Sequence, residues 1–178
     1  EYINGGNTIL DTTALRAVRN AISTNEVNAS MGMICATPTA GSAGVLPGVL
    51  MALDEKYDLT IDQQIDYLFV AAIFGLVIAN NASISGAMGG CQAEIGSASA
   101  MAAAATVYVL GGTPEQSAEA MAITIKNMLG LICDPVAGLV EVPCVKRNAL
   151  GATQALVSSD MALAGITSRI SPDHVIAA

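Results

Sequence analysis

At 178 residues, the chain is long enough to bury a core without disulfides and suits one domain. Its net charge of −8, with only seven Lys and Arg, excludes a nucleic-acid surface built on cationic clusters and disfavours an anionic membrane surface. Hydrophobic residues make up 53% of the chain but aromatics only 3%, so the composition points to closely packed helices with few strand formers.

In chain order, the Asn4-Gly5-Gly6-Asn7 region predicts a poorly ordered start. Asp11 or Thr12 then caps a helix running to about Ser23, with Leu15, Val18 and Ile22 on one face. Thr24 to Ser30 is polar and reads as a loop. The small-residue segment from Met33 to Gly44 leads into an apolar helix over Val45 to Leu53. A Gly/Ser/Thr-rich loop entering a helix presents unpaired N–H groups to an anion such as a carboxylate, or serves only as a turn. It lacks the lysine of a phosphate-binding loop.

Thr60 and Gln63 form a capping box that starts a helix to about Ala79. The mean hydropathy of +0.56 raises the question of a membrane span. The longest apolar run, Tyr67 to Ala79, has 13 residues against the ~20 a spanning helix needs, which predicts a buried core helix and no membrane. The polar cluster from Asn80 to Ala87 interrupts the helices; it is either solvated or arranged around something. A helix from about Ala93 to Leu110 follows. Thr113-Pro114-Glu115-Gln116 is the clearest helix start, and that helix runs to about Leu129. The run Cys133 to Cys144 carries Pro135, Gly138 and Pro143 and reads as a loop, before a last long helix from about Val145 to Ala164. The expected fold is all-α: one Ala/Gly-rich helical domain with cysteine-bearing loops between helices. The sequence ends inside an apparent helix after Ser171-Pro172, as expected of part of a longer chain.

Four cysteines without a signal peptide suggest thiols kept reduced in the cytoplasm, used for burial, catalysis or metal. Cys35, between Ile34 and Ala36, is expected in the core. Cys91, Cys133 and Cys144 lie at glycine- or proline-marked breaks. The ten residues between the last two are too many for C-x2-C zinc or ferredoxin pairs. Thiolates favour zinc, copper(I) or iron–sulfur clusters, so the spacing leaves a cluster and buried structural thiols both open.

Several ordered motifs carry a resemblance that bears on that choice. Ala36-Thr-Pro-Thr-Ala-Gly41, Asn81-Ala-Ser-Ile-Ser-Gly-Ala87, Gly90-Cys-Gln-Ala-Glu-Ile-Gly96, Gly112-Thr-Pro-Glu-Gln116, Cys133-Asp-Pro-Val-Ala-Gly138 and Val142-Pro-Cys-Val-Lys-Arg-Asn-Ala149 together resemble the α domain of the iron–sulfur L-serine dehydratases. The resemblance covers nearly all of the chain from about Glu26, and the stretches Lys126 to Cys133 and Ser159 to Gly165 look closest to the two-subunit type. It implies a catalytic domain over 1–178 that deaminates L-serine to pyruvate and ammonia by elimination at an open iron of a [4Fe–4S] cluster. The implied cluster ligands are Cys91, Cys133 and Cys144, and the implied partner is a β subunit or β domain, within an oligomer. For substrate contacts we read Thr39, Gly41, Asn81, Ser83, Ser85 and Gly86, with Ser83 and Ser85 as catalytic candidates. His174 suits a general base by residue type, but its place in the first turn of a helix favours a solvated position. Lys146 and Arg147 either offset the charge of the thiolates or lie on an exposed face. A sensor or regulatory domain using the same three thiolates without turnover is the alternative function.

Overall fold

The helix breakers and caps parse the chain into segments whose apolar faces must then find one another. In the computed structural model, which describes residues 2–133 and 141–178, with no account of the side chains of 141–143, they do so without any strand among the described residues. The helices are α1 (Thr12–Ala29), α2 (Val45–Tyr57), α3 (Ile61–Asn81), α4 (Gly86–Val109), α5 (Pro114–Met128), α6 (Glu141–Leu163) and α7 (Pro172–Ala177). A short 3-10 turn over Ile3–Gly5 precedes them, where the glycine-rich start predicted little order.

Local chemistry sets most of the starts. Asp11 caps α1 by accepting the Ala14 N–H, and Thr60 with Gln63 and Thr113 with Gln116 form reciprocal capping boxes for α3 and α5. Pro114 occupies the first turn of α5, where no intrahelical N–H is needed.

Helix α4 is the centre, packed against α2, α3, α5 and α6. From Ala98 to Val107 every residue is buried, which only small side chains permit on all faces of one helix. Its hydroxyls are satisfied internally: Ser99 donates to the Ile95 carbonyl and Thr106 to that of Ala102.

Several sequence expectations change. Helix α1 continues through the polar stretch to Ala29. The polarity there serves packing, because Asn25 is buried and donates to the Gly41 carbonyl at 3.2 Å, while Asn28 donates to Ala40 at 2.9 Å. Helix α4 starts at Gly86 and kinks at Gly90 (φ 73, ψ −171), so the break expected before Ala93 is a bend inside one element. Helix α6 starts at Glu141, which puts Cys144 in a helical turn; a proline in a first turn costs no hydrogen bond. The expected breakers Pro135 and Gly138 lie outside the described residues.

Helix α3 is not the buried core helix that its hydropathy predicted. Only Tyr67, Ala71, Gly75 and Ile78 are buried, one stripe at helical spacing facing the core. Leu68, Phe69, Ile73 and Leu76 point outward. Because α3 lies at the edge of the bundle, against α4, one face has no neighbouring helix. By length and composition it is one helix long and apolar enough to cross a membrane, with 22% of its most apolar window buried.

Candidate active site

The kink at Gly90 assembles the site. Gly90 adopts a positive φ that L side chains rarely hold, and a Cβ there would stand 3.2 Å from the Cys133 N and 3.3 Å from the Ile132 Cα. This close approach docks the segment after α5 onto the bend. The Gln92 N–H donates to the Leu131 carbonyl at 2.7 Å, and the Gln92 side chain accepts from the Gly130 N–H at 2.7 Å. Cys91, the residue after the kink, is thereby held beside the segment carrying Cys133.

The third thiol arrives on α6. Cys144, Cys91 and Cys133 line one cavity of about 570 Å³, together with Thr39, Ser85, Gly86 and Glu94. Ile84 and Ala87 supply apolar wall. Cys91 and Cys144 are buried, whereas Cys133 is exposed. The Arg147 guanidinium, one turn along α6 from Cys144, donates from Nη1 both to Cys91 Sγ and to the Ile132 carbonyl, each at 2.9 Å.

The loop between α1 and α2 forms the opposite side. It carries a cis peptide at Thr37–Pro38. Asn148 of α6, fully buried, donates to the carbonyls of Gly41 and Cys144, each at 2.8 Å, and accepts the Gly44 N–H at 2.9 Å. Thr39 and Ser42 share a hydroxyl contact of 2.9 Å, and Thr39 Oγ1 donates to Glu94 Oε1. Beside it, the first turn of α4 begins at Ser85 with no side-chain cap on its N–H groups.

The electrostatics resist ionising the thiols together. Burial pushes Cys144 up from 9.0 to about 11, and the negative charges of Cys91, Glu94 and Cys133 add to this while Arg147 opposes it. Cys91 is raised chiefly by burial, against the hydrogen bond and charge of Arg147. Three thiolates here require added positive charge, as soft metal binding supplies. Among the described residues, no three His, Cys, Asp or Glu side chains converge tightly enough for a single metal ion. An iron–sulfur cluster joins each cysteine to a different iron and so takes a wider set of thiols, which fits three cysteines around one cavity.

The model of the family described as "Serine dehydratase alpha chain" matches residues 2–178. The chain belongs to the serine dehydratase alpha chain family. It is 69% identical over 98% of its length to a "Probable L-serine dehydratase, alpha chain" of Bacillus subtilis, covering 58% of that protein. It is 65% identical over 92% of its length to the protein of the same description in Latilactobacillus sakei, covering 78% of it. To the "L-serine dehydratase, alpha chain" of Peptoniphilus asaccharolyticus it is 51% identical over its full length, covering 61%. The chain thus spans somewhat over half the length of two of these relatives.

Of the residues singled out from the sequence, Thr39, Ser85, Gly86 and the three cysteines line this one cavity. Gly41 lies against the Glu94 carboxylate at the cavity edge. Two candidates lie elsewhere. Ser83 is exposed, accepts the Ser85 N–H, and lines a separate apolar cavity with Ile78 and Ile176. Asn81 is exposed and folds back on α3 to donate to the Val77 carbonyl at 2.8 Å. His174 is exposed and paired with the Ser171 hydroxyl at 2.7 Å, in keeping with a solvated position. Of the two basic neighbours, Lys146 is exposed and Arg147 faces the thiol.

Cys35 is exposed rather than in the core. It sits in a surface loop beside Met33, itself exposed, so its apolar sequence neighbours do not bury it. Glu94 and Asn148 were missed as site residues, although both fall inside the recognised motifs. The available signal was a lone carboxylate three residues after a ligand candidate, and an Asn one turn after another.

Proposed function

We propose that this chain is the catalytic α chain of an L-serine dehydratase, converting L-serine to pyruvate and ammonia in the cytoplasm together with a β-chain partner. The observation that carries the reading is the meeting of Cys91, Cys133 and Cys144, from three separate segments, in one cavity with hydroxyls and a carboxylate. The relatives' descriptions as L-serine dehydratase alpha chains support it.

Cys91, Cys133 and Cys144 would hold a [4Fe–4S] cluster. When bound with three thiolates, such a cluster supplies an open iron, a Lewis acid toward the serine hydroxyl that must leave. The chain's own groups then bind and orient the substrate. The uncapped first turn of α4, with the Ser85 hydroxyl, offers donors and a positive dipole end to the substrate carboxylate. Ser85 remains the catalytic candidate, because its hydroxyl lines the same cavity as the thiols. Arg147 fixes Cys91 and adds positive charge beside the thiolates.

The test is anaerobic reconstitution with iron and sulfide, with the β partner present, followed by visible absorbance and a pyruvate assay on L-serine. Cluster absorbance with serine-dependent pyruvate supports the proposal. No absorbance overturns the cluster, and a cluster without pyruvate favours a sensor role.

A further inference from the structure

Glu94 is the only carboxylate among the described residues lining the thiol cavity. Among those residues it forms no ion pair. It is nevertheless firmly seated. The Thr39 hydroxyl donates to Oε1, and glycines crowd both oxygens: a Cβ on Gly41 would come within 2.6 Å of Oε1, and one on Gly86 within 2.6 Å of Oε2. The loop before α2 and the first residue of α4 therefore meet the carboxylate with glycines, where a side chain would collide with it.

A carboxylate sharing one cavity with three thiols adds negative charge where thiolates would already repel one another. Such a charge is retained where a cation offsets it. The α-ammonium of an amino acid is a cation of suitable size, with three donors for the carboxylate and the Thr39 oxygen. We propose that Glu94, oriented by Thr39, receives the substrate's ammonium group and so selects α-amino-β-hydroxy acids over β-hydroxy acids lacking the amine. This rests on the serine dehydratase reading and extends it to one named contact. Pairing also keeps the amine protonated, and its positive charge makes the neighbouring α-proton easier to remove.

The test uses the reconstituted α/β enzyme with Glu94→Gln and Glu94→Asp. The expected result for Glu94→Gln is unchanged cluster absorbance and a KM for L-serine raised about 10- to 100-fold, the loss of one charged hydrogen-bonded contact. Inhibition by 3-hydroxypropionate, which is serine without its ammonium, should not weaken, and Glu94→Asp should recover part of the KM. An unchanged KM overturns the proposal, as does a fall in kcat alone, which would make Glu94 a proton carrier. Parallel weakening of both ligands, or loss of cluster absorbance in the variant, assigns Glu94 a structural role and also overturns it. Failure of the wild-type enzyme to take up a cluster or make pyruvate would instead count against the underlying reading.

Discussion

Asn148 Nδ2 donates to the Gly41 carbonyl at 2.8 Å across 107 residues of chain, tying the loop before α2 to the helix that carries Cys144. The same amide group donates to the Cys144 carbonyl, and its oxygen accepts the Gly44 N–H. One buried side chain thus sets the distance between the thiol on α6 and the Thr39 side of the cavity.

Asn148→Ala strips the buried Gly44 N–H of its acceptor and takes one donor each from the Gly41 and Cys144 carbonyls, of which Gly41 keeps Asn25. The expected loss is about 3 kcal/mol, read as a lower urea midpoint at unchanged slope. Asn148→Asp should be no better, since a carboxylate would face two carbonyls. Either variant should also take up less cluster on reconstitution.

Arg147 is expected to govern how long a bound cluster survives. Arg147→Met removes the cation from Cys91 and the tie to the Ile132 carbonyl, so the visible absorbance should bleach faster in air than in the wild type. Arg147→Lys should fall between, because a lysine lacks the planar fork that reaches both acceptors.

Gly44 supports α2 without space for a side chain. A Cβ there would lie 2.2 Å from the Ala21 carbonyl oxygen, a backbone atom that cannot step aside. Gly44→Ala should cost about 3 kcal/mol or more. Gly5→Ala, with nothing within 4 Å, should be close to neutral. Thermal melts of the two variants give the comparison.

The raised Cys144 thiol predicts an alkaline instability of the metal-free chain. In the unfolded chain the thiol ionises near 9.0, whereas in the folded state it holds its proton to about 11. The unfolded state therefore binds fewer protons across that window, and stability falls as pH rises from about 9 to about 11. Below about 9 the contribution is fully present. Urea midpoints at either end of the window test the sign.

Alkylation should separate the cysteines. In the metal-free protein Cys35 and Cys133 are exposed and should be modified by iodoacetamide before the buried Cys91 and Cys144. If Cys133 is a cluster ligand, reconstitution should protect it and leave Cys35 reactive, as peptide mass spectrometry would show.

The sequence by itself determined what depends on neighbours three or four residues away. The capping boxes at Thr60 and Thr113, the Pro114 start and the helical class were all legible, because caps and breakers act within one turn. Tertiary structure decided the rest. Whether polar residues 24–29 were loop or packed helix depended on the distant Gly41 carbonyl. Whether Lys146 or Arg147 faced the thiol depended on the rotation of α6 against α4. Ser83 and Ser85, two residues apart, line different cavities because the chain turns into α4 between them. Glu94 became a site residue only when Thr39, Gly41 and Gly86 closed around its carboxylate, contacts made between separate elements and so carried by no local pattern.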